Sequence, residues 1–287
     1  MNIKITLLLV IALLSVSTSP IIAKFLNTVP AISISFWRMF IGAILLWSYS
    51  FFKKQGAIQN SKNYSRTVFA GILLGFHFAL FFGAIKLTLI SNATFLGTLA
   101  PLFTLILEFL FLKRYFNITI IIGLLFSFTG AIIILWSGFD LSQEYTIGNI
   151  LAICCSLCLA ISFIIAEKVR QNEGTIVYTR LLYLSASITL LIIALISNSA
   201  IFGFSFNDYM GLIFLGIVPT ILGHNTIYYA VKYVSPTVVA TFPLGEPIIA
   251  TILAYFIFGE FINPYIYFGG FITLLGLVII TTKKAIK

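Results

Sequence analysis

The chain has 287 residues, of which 60% are hydrophobic, 16% aromatic and only 9% charged, against about 25% charged in an ordinary soluble chain. With a mean hydropathy of +1.11 there is too little polar side chain to cover a globule, and about ten spans of roughly 20 apolar residues fill the length. A separate soluble catalytic or nucleic-acid-binding domain is therefore excluded.

In chain order, apolar runs predict helices at about 3–23, 31–51, 67–87, 90–112, 117–137, 146–166, 175–197, 208–230, 235–258 and 264–282. These runs are longer than barrel strands and lack polar alternation, so the expected fold class is an all-α membrane protein with ten transmembrane helices. Phe52 to Arg66, the longest connection, reads as a polar hairpin. Residues 1–23, with Lys4 ahead of an apolar run, look like a signal peptide. Removing them would leave nine spans and invert the charge distribution, so the first span is retained.

Thirteen of the 17 Lys and Arg fall on one side of such a bundle, including Lys53, Lys54, Lys62, Arg66, Lys113, Arg114, Lys168, Arg170, Lys232, Lys283, Lys284 and Lys287. Lys24 and Lys86 fall on the other side, with Asp140, Glu144, Asp208 and Glu260, while Arg38 and Arg180 lie within spans. The positive-inside rule then predicts a multi-pass protein of the cell (inner) membrane with both termini cytoplasmic. The net charge of +9 is explained by this topology and forms no single patch, so no nucleic-acid partner is expected. Cys154, Cys155 and Cys158 share the sixth span and read as packing residues, with no disulfide, metal or cofactor implied.

Sliding the chain by 146 positions aligns Ala84 with Ala230, Lys86 with Lys232, Pro101 with Pro247, Asn117 with Asn263, Gly123 with Gly269 and Gly130 with Gly276. Eleven of 51 positions match from Ala84 to Ile134, where composition would yield about four or five. The tripeptide Ala-Thr-Phe at 93–95 recurs at 240–242, and Arg38 corresponds to Arg180 at an offset of 142. Each unit holds five spans, an odd number, so the second copy is upside down. Two inverted five-helix repeats, 1–140 and 141–287, are the geometry by which secondary transporters open alternately to either side of a central site.

These runs, with Ala100 and Pro101, the Glu246-Pro247 and Gly259-Glu260 pairs, and Ser35, Phe36, Trp37 and Arg38 in span two, resemble the EamA type of the drug/metabolite transporter superfamily. The resemblance covers essentially the whole chain. It implies a ten-helix carrier of small metabolites, often an exporter of amino acids or related compounds, with its cavity between the halves. Where the second half has Gly259 and Glu260, the first has Lys113 and Arg114.

A charge at mid-membrane costs about 2.5–3.5 kcal/mol, and it faces protein or water. Glu246 meets that description, flanked by the helix-breaking Pro243, Gly245 and Pro247. It could bind an amine or cation, carry a coupling proton, or lock the halves together. Its counterpart is Ala100, so such a site is asymmetric. His77, and His224 with Asn225, lie near equivalent positions of spans three and eight and suit either substrate hydrogen bonding or helix packing, the latter favoured by Gly71 and Gly75 nearby. Arg38 and Arg180 could snorkel or attract an anionic group, and Glu108 reads as a snorkelling or gate residue. Trp37, Phe81 and Tyr228 are candidate cavity aromatics.

The expected function is secondary transport of a small-molecule substrate across the lipid bilayer, more in keeping with export. Proton coupling and facilitated diffusion are both compatible. A nucleotide-sugar or lipid-precursor translocator shares every feature used so far. No G-x-x-x-x-G-K-[ST], H-E-x-x-H or G-x-S-x-G occurs, so neither ATP hydrolysis nor common membrane-enzyme chemistry is expected. Oligomeric state is not encoded in any of these signals.

Overall fold

The computed structural model describes residues 2–88, 90–136, 141–259 and 264–282, and the expectations for Asp140, Glu260, Asn263, Lys283, Lys284 and Lys287 lie outside them. Among the described residues every regular element is helical. Nine helical spans among these residues are long and apolar enough to cross a membrane, and a tenth apolar helix is slightly shorter. The chain is thus an all-α membrane protein of ten helical spans.

The first span is α1 (Ile3–Val16) and α2 (Ser19–Phe25), interrupted just before Pro20, whose ring cannot supply a helical N–H. The second is α3 (Ala31–Phe52) and the third α4 (Ser61–Leu87). Span four divides into α5 (Ile90–Gly97) and α6 (Ala100–Leu112), and the shorter span five is α7 (Ile118–Leu135). In the second half α8 (Thr146–Arg170) and α9 (Thr175–Ile196) are continuous. Span eight runs from α10 (Phe206–Leu215) through a π-helical stretch, Gly216–His224, into α11 (Asn225–Ala230). Span nine is α12 (Pro236–Thr241), a 3-10 turn Phe242–Gly245 and α13 (Glu246–Phe258), and span ten is α14 (Pro264–Thr282).

Two boundaries differ from the hydropathy reading for one physical reason. Lys62 and Arg66 end an apolar run, but a helix can project past the lipid. The Asn60 side chain accepts from the Lys62 and Asn63 N–H groups at 2.9 and 3.3 Å, so α4 begins at Ser61 and the connection is shorter than expected. Helix α8 likewise runs on to Arg170, and both Glu167 and Arg170 are buried rather than solvated loop charges.

The repeat is visible in the packing. Helix α7 lies along α14, and α3 along α9. Helix α4 packs on α8, while the corresponding span eight packs on α1 through its π segment and α11. Helix ends repeat as well: Lys113 after α6 and Gly259 after α13 both take left-handed backbone, φ 51° and 69°, as do Lys54 after α3 and Asn198 after α9, φ 50° and 51°. Glycine enters this conformation freely, whereas lysine at 113 accepts strain of about 1 kcal/mol to make the same turn.

Each half also clamps a loop of the other. At the start of α3, Ser33 Oγ donates to Ala200 O at 2.6 Å and Trp37 Nε1 to Ile201 O at 2.8 Å. At the start of α9, Arg180 donates to Ser50 Oγ and to the Gln55 and Gly56 carbonyls. The first pair secures the loop after α9, and the second the loop after α3.

Candidate functional site

Span four breaks ahead of Pro101 and span nine around Pro243 and Pro247, at corresponding points of the two halves. Each proline removes a helical N–H and sets a carbonyl free, and matched interruptions of this kind mark the midplane sites of inverted-repeat carriers. Glu246 is the first residue of α13, directly after the 3-10 turn. It is half-buried, and the first half holds a buried cation, Arg38. No ion pair joins the two among the described residues.

Arg38 is buried and already engaged. Its Nε donates to Thr220 Oγ1 at 3.0 Å and its Nη2 to Pro219 O at 3.5 Å. Both acceptors belong to the π segment, which has Pro219 inside it, and Thr220 Oγ1 itself donates to Leu215 O at 2.8 Å. Tyr183 donates from its hydroxyl to Thr220 O at 3.5 Å, a carbonyl that also accepts from Asn225 N–H.

The Arg38 guanidinium also stands over the Phe78 ring, 4.8 Å from its centroid, a cation–π contact. Phe78 meets His77 and His224 edge-on at 4.9 and 5.7 Å. The structure therefore gathers Arg38, His77 and His224 around one aromatic ring that sequence reasoning did not single out. His77 Nδ1 lies 3.0 Å from Cys155 O. A carbonyl only accepts, so Nδ1 carries the proton and Nε2 is left as an acceptor. His224 Nδ1 is buried with no hydrogen-bond partner among the described residues. Next to it, Asn225 Oδ1 accepts from Thr179 Oγ1 at 2.7 Å.

Below this ring lies a tyrosine group. The Tyr228 hydroxyl pairs with Ser162 Oγ at 3.2 Å, Tyr178 meets Tyr228 at 5.7 Å between centroids, and the Tyr178 hydroxyl is buried without a hydrogen-bond partner among the described residues. Ring contacts and hydrogen bonds thus bring cationic, imidazole and phenolic groups from both halves together in the interior.

The EamA-like transporter family model matches residues 3–136 and again 146–282. The chain belongs to that family. An "uncharacterized transporter" of Archaeoglobus fulgidus is 25% identical, covering 99% of each chain. A protein of Rickettsia bellii named S-adenosylmethionine uptake transporter is 23% identical over 96% of this chain and 94% of its own. A crystal structure of a 17% identical protein superposes with a TM-score of 0.83, covering 98% of both chains, and shares the fold. Both sequence relatives are named as transporters.

In this EamA-like chain the remaining candidates sit elsewhere. Arg180 lies with its guanidinium 4.5 Å over Trp47, tied to the loop after α3 and away from the Phe78 group. Trp37 seals the loop after α9 rather than facing the center. Gly71 and Gly75 face α9, where a Cβ would come within 2.5 Å of Leu182 O and 3.1 Å of Ala186 O. They set the close approach of α4 and α9, while neighbouring His77 faces α8. Phe81 stacks on His77 at 6.5 Å.

Glu108 belongs to a second cluster near the end of α6. Its Oε1 accepts from Thr237 N at 2.8 Å and Thr237 Oγ1 at 2.9 Å, and its Oε2 from Arg114 Nη1 at 3.1 Å. Arg114 reaches Glu167 as well, at 2.8 Å. Burial opposes the Arg114 charge, but the two carboxylates outweigh it and hold its pKa above the ordinary value. Thr237 and Glu167 were invisible to sequence reasoning, because their importance depends on which helix ends meet. The available signal was the correspondence of Lys113 with Gly259 in the repeat, since both residues take the same left-handed turn: Arg114 N donates back to Glu108 O at 3.1 Å, which folds the arginine over the glutamate.

Proposed function

We propose that this protein is a secondary transporter of small amino-acid-like metabolites that works by alternating access. Its halves, 1–140 and 141–287, would rock about a site between them. The observation carrying this reading is Glu246: a half-buried carboxylate that opens a helix at the break in span nine, with no ion pair to the buried Arg38 among the described residues. A zwitterion offers an ammonium to Glu246 and a carboxylate to Arg38, so one small molecule can satisfy both. The S-adenosylmethionine transporter name of the Rickettsia relative concerns a metabolite of that charge type. The charge split supports residence in the cell membrane with both termini cytoplasmic, and the family resemblance favours export.

The test is reconstitution of purified protein in liposomes, with labelled amino acids, S-adenosylmethionine, amines, nucleotide sugars and lipid precursors on either side, with and without a pH gradient. Flux of a zwitterion is expected, falling at least about tenfold in Glu246→Gln while insertion is unchanged. Flux of nucleotide sugars alone would overturn the substrate assignment. Stimulation by the gradient would add proton coupling, and its absence would leave facilitated diffusion. Counterflow in the two orientations reads the direction.

A further inference from the structure

We propose that Glu108 is the latch of a gate: held by Thr237 and Arg114, it closes the pathway at the face carrying Arg114 and must release for substrate to pass there. This rests on the transporter reading above. The latch joins both halves, with α6 and Arg114 from the first, Thr237 and Glu167 from the second. Glu108 is fully buried, and both of its oxygens accept hydrogen bonds from groups that water could otherwise satisfy.

Asymmetry between the two faces carries the inference. Helix α12 packs directly on α6 at the latch, whereas among the described residues no comparable packing joins α13 to α5 at the opposite face. The position equivalent to Glu108 is Ala254, which cannot form such a bond. At that opposite face, Asn27, Thr28, Pro30, Ala200, Phe202 and Asp208 border an open recess of about 580 Å³.

The latch is also built to release. The segments it joins, α6 and α12, are those next to the breaks in spans four and nine, where a helix bends at least cost. The Arg114 side chain is 30% exposed, so water can take over its charge when the contact opens. Arg170, by contrast, is buried and spends its donors on Tyr228 O, Glu173 O and Thr175 Oγ1, which suits a fixed strut.

The experiment uses a background with Cys154, Cys155 and Cys158 replaced by alanine and Asn225→Cys as reporter, in sealed vesicles treated with a membrane-impermeant maleimide. With the latch intact, labelling from the Arg114 face is slow. Combining Glu108→Ala with Thr237→Val is expected to speed it by roughly tenfold or more, the scale set by losing charge-assisted hydrogen bonds, and to slow labelling from the opposite face. Unchanged labelling from both faces in a folded double variant would overturn the proposal. A second variant avoids loss of packing: a disulfide between Glu108→Cys and Thr237→Cys should block transport until reduced, and continued flux through cross-linked protein would equally overturn it. Labelling requires no substrate. If the wild type moved nothing in the transport panel, the functional reading would fail while the gate result stood separately.

Discussion

Ser127 and Thr273 occupy equivalent positions of the two halves, 146 residues apart, and they touch each other: Ser127 Oγ donates to Thr273 O at 3.4 Å. A residue can meet its own repeat mate only at a twofold axis, so the pseudo-symmetry axis passes between α7 and α14 at this point. The flanking contacts exchange accordingly. Gly123 faces Gly276 O, and Gly130 faces Gly269 O.

The α7–α14 crossing depends on backbone meeting backbone. A Cβ on Gly130 would lie 2.4 Å from Gly269 O, and one on Gly276 2.5 Å from Gly123 O. Gly130→Leu or Gly276→Leu is therefore expected to destabilise the protein by at least about 1–3 kcal/mol, read as a lowered Tm in detergent. Gly83→Ala, whose Cβ would stand 3.6 Å from Leu151, should leave Tm near that of the wild type.

Arg38 holds the π segment through directional bonds as well as through charge. Arg38→Lys keeps the charge but cannot reproduce the Thr220, Pro219 and Phe78 contacts together. Transport in the reconstituted system should fall about tenfold, and Thr220→Val should fall in the same direction by less. Wild-type flux in Arg38→Lys would show that its charge alone matters.

Arg180 ties a loop, away from the central groups. Arg180→Ala should cost about 1–3 kcal/mol of stability and speed proteolysis between residues 53 and 60. The half-saturation concentration for substrate should stay within about twofold of wild type. A large change in that concentration with unchanged stability would move Arg180 into the binding site.

Pro101 and Pro247 sit at matching breaks. Replacing both with alanine restores helical N–H groups and should favour continuous helices. The expected outcome is a protein that inserts normally and has equal or higher Tm, but transports several-fold more slowly. Flux equal to wild type would separate the breaks from the transport cycle.

Orientation is open to direct measurement. In the cysteine-free background, Gly56→Cys should react with an impermeant thiol reagent only from the cytoplasm, and Thr28→Cys only from outside. The reverse pattern would overturn the positive-inside assignment, with the two faces still opposite each other.

Much of this architecture was legible from residue type alone. A chain with 9% charged residues must place long apolar runs in lipid, and backbone hydrogen bonding then requires helices. The rare Pro and Gly positions revealed the repeat, since their backbone effects do not depend on neighbours. The central groups were half legible: Glu246, Arg38, His77 and His224 stood out because charge and imidazole are expensive in a membrane. Phe78 did not stand out, being one Phe among 29.

What the amino-acid sequence determined by itself was therefore the solvent of the protein, its span number, its duplicated plan and a short roster of polar groups inside. Tertiary structure alone decided how that roster divides. It brought Arg38 and the two histidines to one ring, sent Arg180 to a loop and made Glu108 a bridge to Thr237, 129 residues away. The physical reason is range. Hydropathy, helix breaking and desolvation act residue by residue, whereas a hydrogen bond between helix ends exists only after the two halves have packed.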